Sequence, residues 1–113
     1  RILKPLILGF TFKENCPDLR NTKVTDVVNE LKSAHISPEV YDPWVEKEVA
    51  MRELNIEVKD SLNDSKYDAV ILAVAHDQFK SMTKNDILNL VKSNYVLFDI
   101  KSILPKSFGA LRL

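Results

Sequence analysis

Five short apolar segments alternate with helix-like segments along this chain of 113 residues. The apolar segments are residues 4–10, 39–42, 56–59, 68–75 and 94–100. Such alternation is typical of βαβ units, whose right-handed crossovers place the strands side by side in a parallel sheet. We therefore predict an α/β fold. It is a Rossmann-like, doubly wound parallel sheet of about five strands in the order 3-2-1-4-5, in a three-layer αβα arrangement.

The starts of the predicted helices are marked by residues that favour the N-cap position. The helices are predicted to run from Asn21 or Thr22 to about His35, from Asp42 to about Leu54 and onward from Thr83, with a single helical turn at 61–64. Asp42 is followed by Pro43, and proline is favoured at the first helical position. Thr83 and Asp86 have the spacing of a capping box.

The chain contains only two glycines, Gly9 and Gly109. A dinucleotide-binding fingerprint needs three closely spaced glycines, and a phosphate-binding P-loop needs at least two. Both kinds of glycine-rich loop are therefore excluded. If the chain binds a nucleotide, side chains must replace the glycine-rich backbone in holding its phosphates.

Charge and composition exclude several other classes of protein. Sixteen basic and sixteen acidic residues cancel, so no global field draws the chain onto nucleic acid. The sequence contains no apolar run long enough to span a membrane and opens with no signal peptide. The single cysteine, Cys16, fits a reducing compartment, and one cysteine with two histidines does not make a structural zinc site. We expect a cytoplasmic domain without a metal, in which Cys16 is an ordinary loop residue.

The ligand crevice of a doubly wound sheet lies beyond the carboxyl ends of the strands, where the winding reverses. In the predicted order this point lies between the first and fourth strands. Three loops reach it: residues 10–21, 75–83 and 99–106. His76 belongs to the second of these loops and is a candidate for the edge of the pocket.

The first loop has about eleven residues, whereas βα loops usually have about two to six. It carries Lys13 and Arg20, and the helix that follows it adds backbone N–H groups. Together these groups form a candidate site for a phosphate or diphosphate. The alternative is that both cations are solvated, with Asp18 paired to Arg20.

The first loop and the strand ends resemble a known family. Residues 9–13 read Gly-Phe-Thr-Phe-Lys, and Asp18 stands two positions before Arg20. Further matching segments are residues 41–43, 69–79 and 98–103. This set resembles the C-terminal, UDP-binding domain of the UDP-glucose/GDP-mannose dehydrogenase family. It is most similar to the UDP-N-acetylhexosamine branch, which includes capsule and O-antigen enzymes. The resemblance implies that residues 1–113 are one nucleotide-sugar-binding domain taken from a longer dehydrogenase.

The resemblance also implies roles for individual residues. Phe12 and Lys13 stand where the family lines its nucleotide-sugar pocket. Arg20 stands where an arginine lies toward the diphosphates of cofactor and substrate. Lys101 stands near a basic residue that contacts UDP in the UDP-glucose branch. That branch is rich in arginine here, and a lysine would not make the bidentate phosphate contact.

Finally, the resemblance implies a parent enzyme that is an NAD-dependent nucleotide-sugar 6-dehydrogenase. The parent would oxidise the C6 alcohol of a UDP-sugar to a carboxylate for polysaccharide synthesis, and would be a homo-oligomer. NAD would be bound mainly by an N-terminal domain, and this domain would contact the N-terminal and central domains without catalysing anything by itself. Two alternatives stay open: a stand-alone α/β binding module and a subunit-contact domain without catalysis.

Overall fold

The computed structural model describes residues 3–20, 22–62 and 66–112. Within these ranges the strands are β1 (Pro5–Leu8), β2 (Glu39–Tyr41), β3 (Val58–Lys59), β4 (Tyr67–Leu72), β5 (Val91–Asp99) and β6 (Leu111–Arg112). The helices are α1 (Val24–Ser33), α2 (Lys47–Leu54), α3 (Asp77–Lys80) and α4 (Lys84–Leu90), and a 3₁₀ turn spans Lys106–Phe108.

The strands form one parallel sheet in the order β3-β2-β1-β4-β5-β6. The predicted order 3-2-1-4-5 is confirmed, and β6 adds a strand that the sequence did not predict. Leu8, the last residue of β1, lies opposite Tyr41 of β2 and Leu72 of β4. The winding therefore reverses beside β1, with β2 and β4 as its two neighbours.

Helices pack on both faces of the sheet, as predicted, because successive strand residues point to opposite faces. Ile7 of β1 packs in a cluster with Val28 of α1 and Ala50 of α2. Leu6 and Leu8, on either side of Ile7, belong to a second cluster that holds the buried residues of α3 and α4. Two cores, one on each face, thus create the three layers.

Of the predicted helix starts, that of α4 is correct and that of α2 is wrong. Thr83 and Asp86 form the reciprocal capping box of α4. Helix α2, however, begins at Lys47 with Glu46 as its N-cap, so the prediction that Asp42 caps it is wrong. The carboxylate of Asp42 instead binds groups from other loops, and this removes it from the helix start. Helix α1 has Lys23 at its N-cap, one residue after the candidate Thr22, and the hydroxyl oxygen of Thr22 accepts a hydrogen bond from the N–H of Val24 at 3.3 Å.

Several element bounds also differ from the prediction. Helix α1 ends at Ser33, because His35 has a left-handed backbone (φ 61°). Strand β5 begins at Val91, immediately after α4, and not at residue 94. The loop at 75–83 contains the short helix α3. The first N-cap candidate, Asn21, and part of the helical turn predicted at 61–64 lie outside the described residues.

Gly9 directly follows β1, at a position where a side chain would not fit. Its φ is +99°, a left-handed value that glycine adopts without strain. A Cβ placed there would lie 2.6 Å from the Cβ of Val74 and 2.8 Å from its backbone nitrogen. The backbones that follow β1 and β4 therefore meet closely at the reversal of the winding.

Among the described residues, no helix is long and apolar enough to cross a membrane.

Candidate functional site

The three loops predicted to carry the chemistry follow β1, β4 and β5. Because these strands are parallel and adjacent in the order β1-β4-β5, the loops share the carboxyl edge of the sheet. Neighbouring strands are about 4.8 Å apart, so the first and third loops begin roughly 10 Å from each other. A ligand at this edge would contact all three loops.

The loop after β1 is folded back on itself by hydrogen bonds. The N–H of Phe12 donates to the carbonyl oxygen of Asp18 at 2.7 Å. The hydroxyl of Thr11 donates to the carbonyl oxygen of Lys13 at 2.8 Å, and that of Thr22 donates to the carbonyl oxygen of Phe10 at 2.8 Å. These bonds close the loop and turn its tip outward.

Phe12 and Lys13 occupy the exposed part of this loop. Phe12 is 52% exposed although it is an aromatic residue, whereas the neighbouring Phe10 is fully buried. Lys13 is also exposed. An exposed ring beside an ammonium group can stack on a flat ligand while the cation contacts an anion. The structure thus places the two predicted pocket residues side by side at the reversal of the winding.

Arg20 is paired with Asp18 within the same loop. Its Nε lies 3.1 Å from Oδ1 of Asp18, and a terminal nitrogen lies 3.1 Å from Oδ2, which makes the pair bidentate. The hydrogen bond from Arg20 lowers the pKa of Asp18. Arg20 is thus paired with Asp18, as the alternative to an anion site predicts, although the Arg20 side chain is 86% exposed. Its diphosphate contact stays a prediction, which the guanidinium N–H groups that do not bind Asp18 leave open.

Lys101 lies in the turn that follows β5. The buried carboxylate of Asp99 holds this turn, because its Oδ2 accepts a hydrogen bond from the N–H of Leu104 at 2.8 Å. Ser102 takes a left-handed backbone with φ 55°. Lys101 is exposed at the same edge as Lys13. Two cations on different loops therefore flank the carboxyl end of β4.

His76 is at this edge, but its imidazole is fully buried. The predicted contact with a ligand at the edge of the pocket finds no support here, because the side chain presents no surface. Its Nδ1 accepts a hydrogen bond from the N–H of Asn15 at 2.9 Å, and its Nε2 lies 2.8 Å from Oδ2 of Asp42. His76 thus binds the backbone of the first loop from the buried side of that loop.

Asp42 is the residue whose role the sequence analysis missed. Its side chain is buried, and Oδ2 accepts hydrogen bonds from the N–H groups of Phe10 at 2.6 Å and Thr11 at 3.1 Å. Its Oδ1 accepts from the N–H of Trp44 at 2.8 Å. A usable signal was present in the sequence: Asp42 and His76 follow the two strands that flank β1 in the predicted order.

The turn after β1 leaves no room for the pyrophosphate of NAD. A Rossmann fingerprint leaves space at this turn so that the pyrophosphate can approach the backbone. In this chain Val74 fills the space next to Gly9, and the sequence has no second glycine nearby. The turn therefore does not fit the pyrophosphate of a dinucleotide.

Two cavities border α2. One, of about 450 Å³, is lined by Cys16, Pro17, Asp18, Leu19, Arg20, Glu46 and Val49. A larger one, of about 750 Å³, lies between α2 and the edge strand β3. The acidic Glu46 and Asp18 make the first a poor place for a phosphate. We therefore centre the candidate site on the open surface formed by Phe12, Lys13 and Lys101.

Comparison with known proteins matches this domain to a family. The chain is 48% identical over 108 residues to UDP-N-acetyl-D-glucosamine 6-dehydrogenase of Salmonella typhi and 49% identical to that of Pseudomonas aeruginosa, in each case over 96% of this chain. It spans 25% and 26% of those relatives' own lengths. Among solved structures, NDP-N-acetyl-D-galactosaminuronic acid dehydrogenase of Methanosarcina mazei has the same fold, with a TM-score of 0.83 at 22% identity over 99% of this chain and 24% of that one. Residues 6–106 match the model of the UDP-glucose/GDP-mannose dehydrogenase family, UDP binding domain, and the chain therefore belongs to this family.

Proposed function

We propose that this chain binds the UDP moiety of a nucleotide sugar within an NAD-dependent UDP-sugar 6-dehydrogenase. The observation that carries the proposal is the exposed Phe12–Lys13 pair at the reversal of the winding, in a chain of the UDP-binding family. Residues 1–113 form one such domain, and the relatives are about four times longer. The remaining length would hold the NAD site and the catalytic groups.

The charges of the site suit a diphosphate. Lys13 and Lys101 project from loops on either side of the β4 end, and each ammonium group can contact phosphate oxygens as a point charge. The ring of Phe12 offers a face for the uracil or ribose. Arg20 would join the diphosphate contacts through the guanidinium N–H groups that do not bind Asp18, and the negative charge of Asp18 beside it makes it the weaker member of the set.

This domain would contribute to the reaction through the energy of its contacts with UDP. In the proposed oxidation a C6 alcohol would become a carboxylate in two successive steps, in which two molecules of NAD would each accept one hydride and water would supply the second carboxylate oxygen. The residues of this chain do not touch the reacting carbon. They hold the distant UDP end, and such remote contacts orient the carbon toward the catalytic groups.

The relatives suggest which substrate the parent oxidises. The two relatives that share almost half of their aligned residues with this chain are UDP-N-acetyl-D-glucosamine 6-dehydrogenases. We propose a UDP-N-acetylhexosamine as the substrate and capsule or O-antigen synthesis as the purpose. We further propose that the parent is cytoplasmic and homo-oligomeric, with this domain in contact with its N-terminal and central domains.

Calorimetric titration of the full-length dehydrogenase that contains this domain tests the proposal. We expect UDP to bind more tightly than UMP, and UMP more tightly than uridine. Lys13→Ala should weaken UDP binding by about tenfold or more, because a hydrogen bond to a charged group contributes about 1.5–3 kcal/mol.

Lys32→Ala provides the matched control. Lys32 is an exposed lysine in the last turn of α1, which starts at the carboxyl edge of the sheet and runs away from it. We expect this change to leave UDP affinity within about twofold, as is usual for surface substitutions. Equal affinity for UDP and uridine, or equal effects of the two lysine substitutions, would contradict the proposed site.

A further inference from the structure

We infer that Asp42 and His76 are positioning residues of the UDP site, which hold the segment 11–15 and thereby place Phe12 and Lys13. The inference rests on the proposed function, because UDP is the ligand to which that segment is presented. Asp42 and His76 do not touch the ligand themselves. They act through the backbone of the loop above them.

The protonation state of His76 follows from its hydrogen bonds. Nδ1 accepts from the N–H of Asn15 at 2.9 Å, so Nδ1 carries no proton. The ring proton therefore resides on Nε2, which donates to Oδ2 of Asp42 at 2.8 Å and lies 3.3 Å from the hydroxyl oxygen of Thr11. His76 is a neutral imidazole that accepts on one side and donates on the other.

These bonds anchor both ends of the exposed segment. At its start, Oδ2 of Asp42 accepts from the N–H groups of Phe10 and Thr11. At its end, His76 accepts from the N–H of Asn15, and the Oδ1 of Asn15 accepts from the N–H of Asp77 at 3.0 Å. The residues between the anchors are Phe12, Lys13 and Glu14, and all three are exposed.

The topology explains why this pair can hold the loop. Strand β1 lies between β2 and β4, so its loop leaves the sheet between the ends of those two strands. Asp42 follows β2 directly, and His76 lies shortly after β4. Each side chain needs to cross only one strand spacing to meet the other beneath the loop.

Burial argues that the pair does more than fill space. Both side chains are 0% exposed, and buried polar groups cost free energy that apolar side chains of similar volume would avoid. Apolar replacements could not bind the backbone N–H groups of Phe10, Thr11 and Asn15. Asn15 also has a left-handed backbone, with φ 54°, that the two bonds to its N–H and Oδ1 stabilise.

The first test measures whether the pair holds the segment, without any ligand. In the full-length enzyme, His76→Leu should speed hydrogen–deuterium exchange in residues 11–15 while exchange in β4 stays unchanged. His76→Asn, which keeps an acceptor near the position of Nδ1, should restore part of the protection and serves as the second variant if His76→Leu does not fold. In the wild type, nitrogen shifts of His76 should report a proton on Nε2, and the exposed His35 is the internal comparison. Exchange in 11–15 that is unchanged in both variants overturns the inference.

The second test measures whether holding the segment matters for UDP. We expect His76→Leu to weaken UDP binding about tenfold and to raise KM for the UDP-sugar, while KM for NAD stays the same. In a Lys13→Ala background the same change should cost less than in the wild type, because part of its effect acts through Lys13 and residues that act through one another are not additive. Asp42→Leu, which removes both acceptor oxygens, should behave like His76→Leu.

Glu39→Gln is the control for a general loss of stability. It removes a partly buried carboxylate at the opposite end of β2, and it should leave UDP affinity unchanged. If Lys13→Ala weakens UDP binding but His76→Leu does not, or if their losses simply add, the inference fails and the proposed function stands. If Lys13→Ala has no effect on UDP binding, the proposed site itself fails, and the positioning role for UDP fails with it.

Discussion

Glu39 provides the sharpest test of how this fold is stabilised. The residue opens β2 at the amino edge of the sheet, and its carboxylate is 11% exposed. It lies 2.6 Å from the Nζ of Lys4 and 3.3 Å from the Nζ of Lys66, and it accepts a hydrogen bond from the hydroxyl of Tyr67 at 2.7 Å. Burial alone would raise the pKa of Glu39, but the hydrogen bonds from these three residues outweigh it and lower the pKa from 4.5 to about 2.

The sign of the effect follows from this lowered pKa. An unfolded chain protonates Glu39 near pH 4.5, whereas the folded chain does so near pH 2. The carboxylate therefore stabilises the fold fully above about pH 5, and this contribution is lost as the pH falls from 4.5 to about 2. The gap corresponds to a ceiling of about 3 kcal/mol, at about 1.4 kcal/mol for each pH unit. Lys4 and Lys66 are 35% and 39% exposed, so solvent screening lowers our expectation to about 1–3 kcal/mol.

Urea unfolding of the wild type and of Glu39→Gln at pH 7, 5, 3.5 and 2.5 measures this contribution. We expect the variant to be less stable by about 1–3 kcal/mol at pH 7, with the difference shrinking as the pH approaches 2.5. Glu30→Gln, at an exposed position on α1, is the matched control and should change the unfolding free energy by less than about 0.5 kcal/mol at any of these values. A difference that is absent at pH 7, or that stays constant down to pH 2.5, would refute the reasoning.

Two further substitutions test the packing and the helix start. Gly9→Ala should lower the unfolding free energy by about 2–5 kcal/mol, because the new Cβ would overlap Val74 and the backbone φ is +99°. Gly109→Ala is the control, because its Cβ would meet nothing within 4 Å. It should lower the unfolding free energy by about 1 kcal/mol in the same urea titration. Thr83→Ala should cost about 1 kcal/mol by removing the hydrogen bond to the N–H of Asp86, and thermal unfolding that is unchanged would argue against the capping box.

The order of the sheet could be predicted because it depends on features that are local in sequence. Alternation of apolar strands with amphipathic helices, together with right-handed crossovers, left few arrangements. Strand β6 escaped prediction, because its two residues pair with β5 only after the chain has turned through the 3₁₀ turn Lys106–Phe108. So short a segment carries no periodicity that could reveal it.

The start of α2 shows where local reasoning fails. Asp42 followed by Pro43 has the local chemistry of a helix start, and its Oδ1 does accept the N–H of Trp44. Its other oxygen is bound by Phe10 and His76, which lie more than thirty positions away in sequence. Long-range partners of this kind cannot be deduced from spacing along one segment. Asp42 is hydrogen-bonded to these partners and lies outside the helix, which begins four residues later than Pro43.

The candidate site was predictable in part for the same reason. The position of Lys13 at the carboxyl edge followed from the topology, and the structure places it there with Phe12 exposed beside it. The sequence left open whether Arg20 pairs with a ligand or with Asp18, because two residues separated by one position can form an ion pair in any fold. The burial of His76 was not predictable, since it depends on a carboxylate supplied by another strand.

Trp44, whose backbone N–H is bound by Asp42, is the single tryptophan of the chain. Its indole nitrogen lies 3.2 Å from Oε1 of Gln78, and its ring centroid lies 6.1 Å from that of His76. The indole is thus attached to both loops that flank the exposed segment. Within this domain, fluorescence excited selectively in tryptophan therefore comes from one indole beside the candidate site, and its emission reports rearrangement of these loops without any added dye.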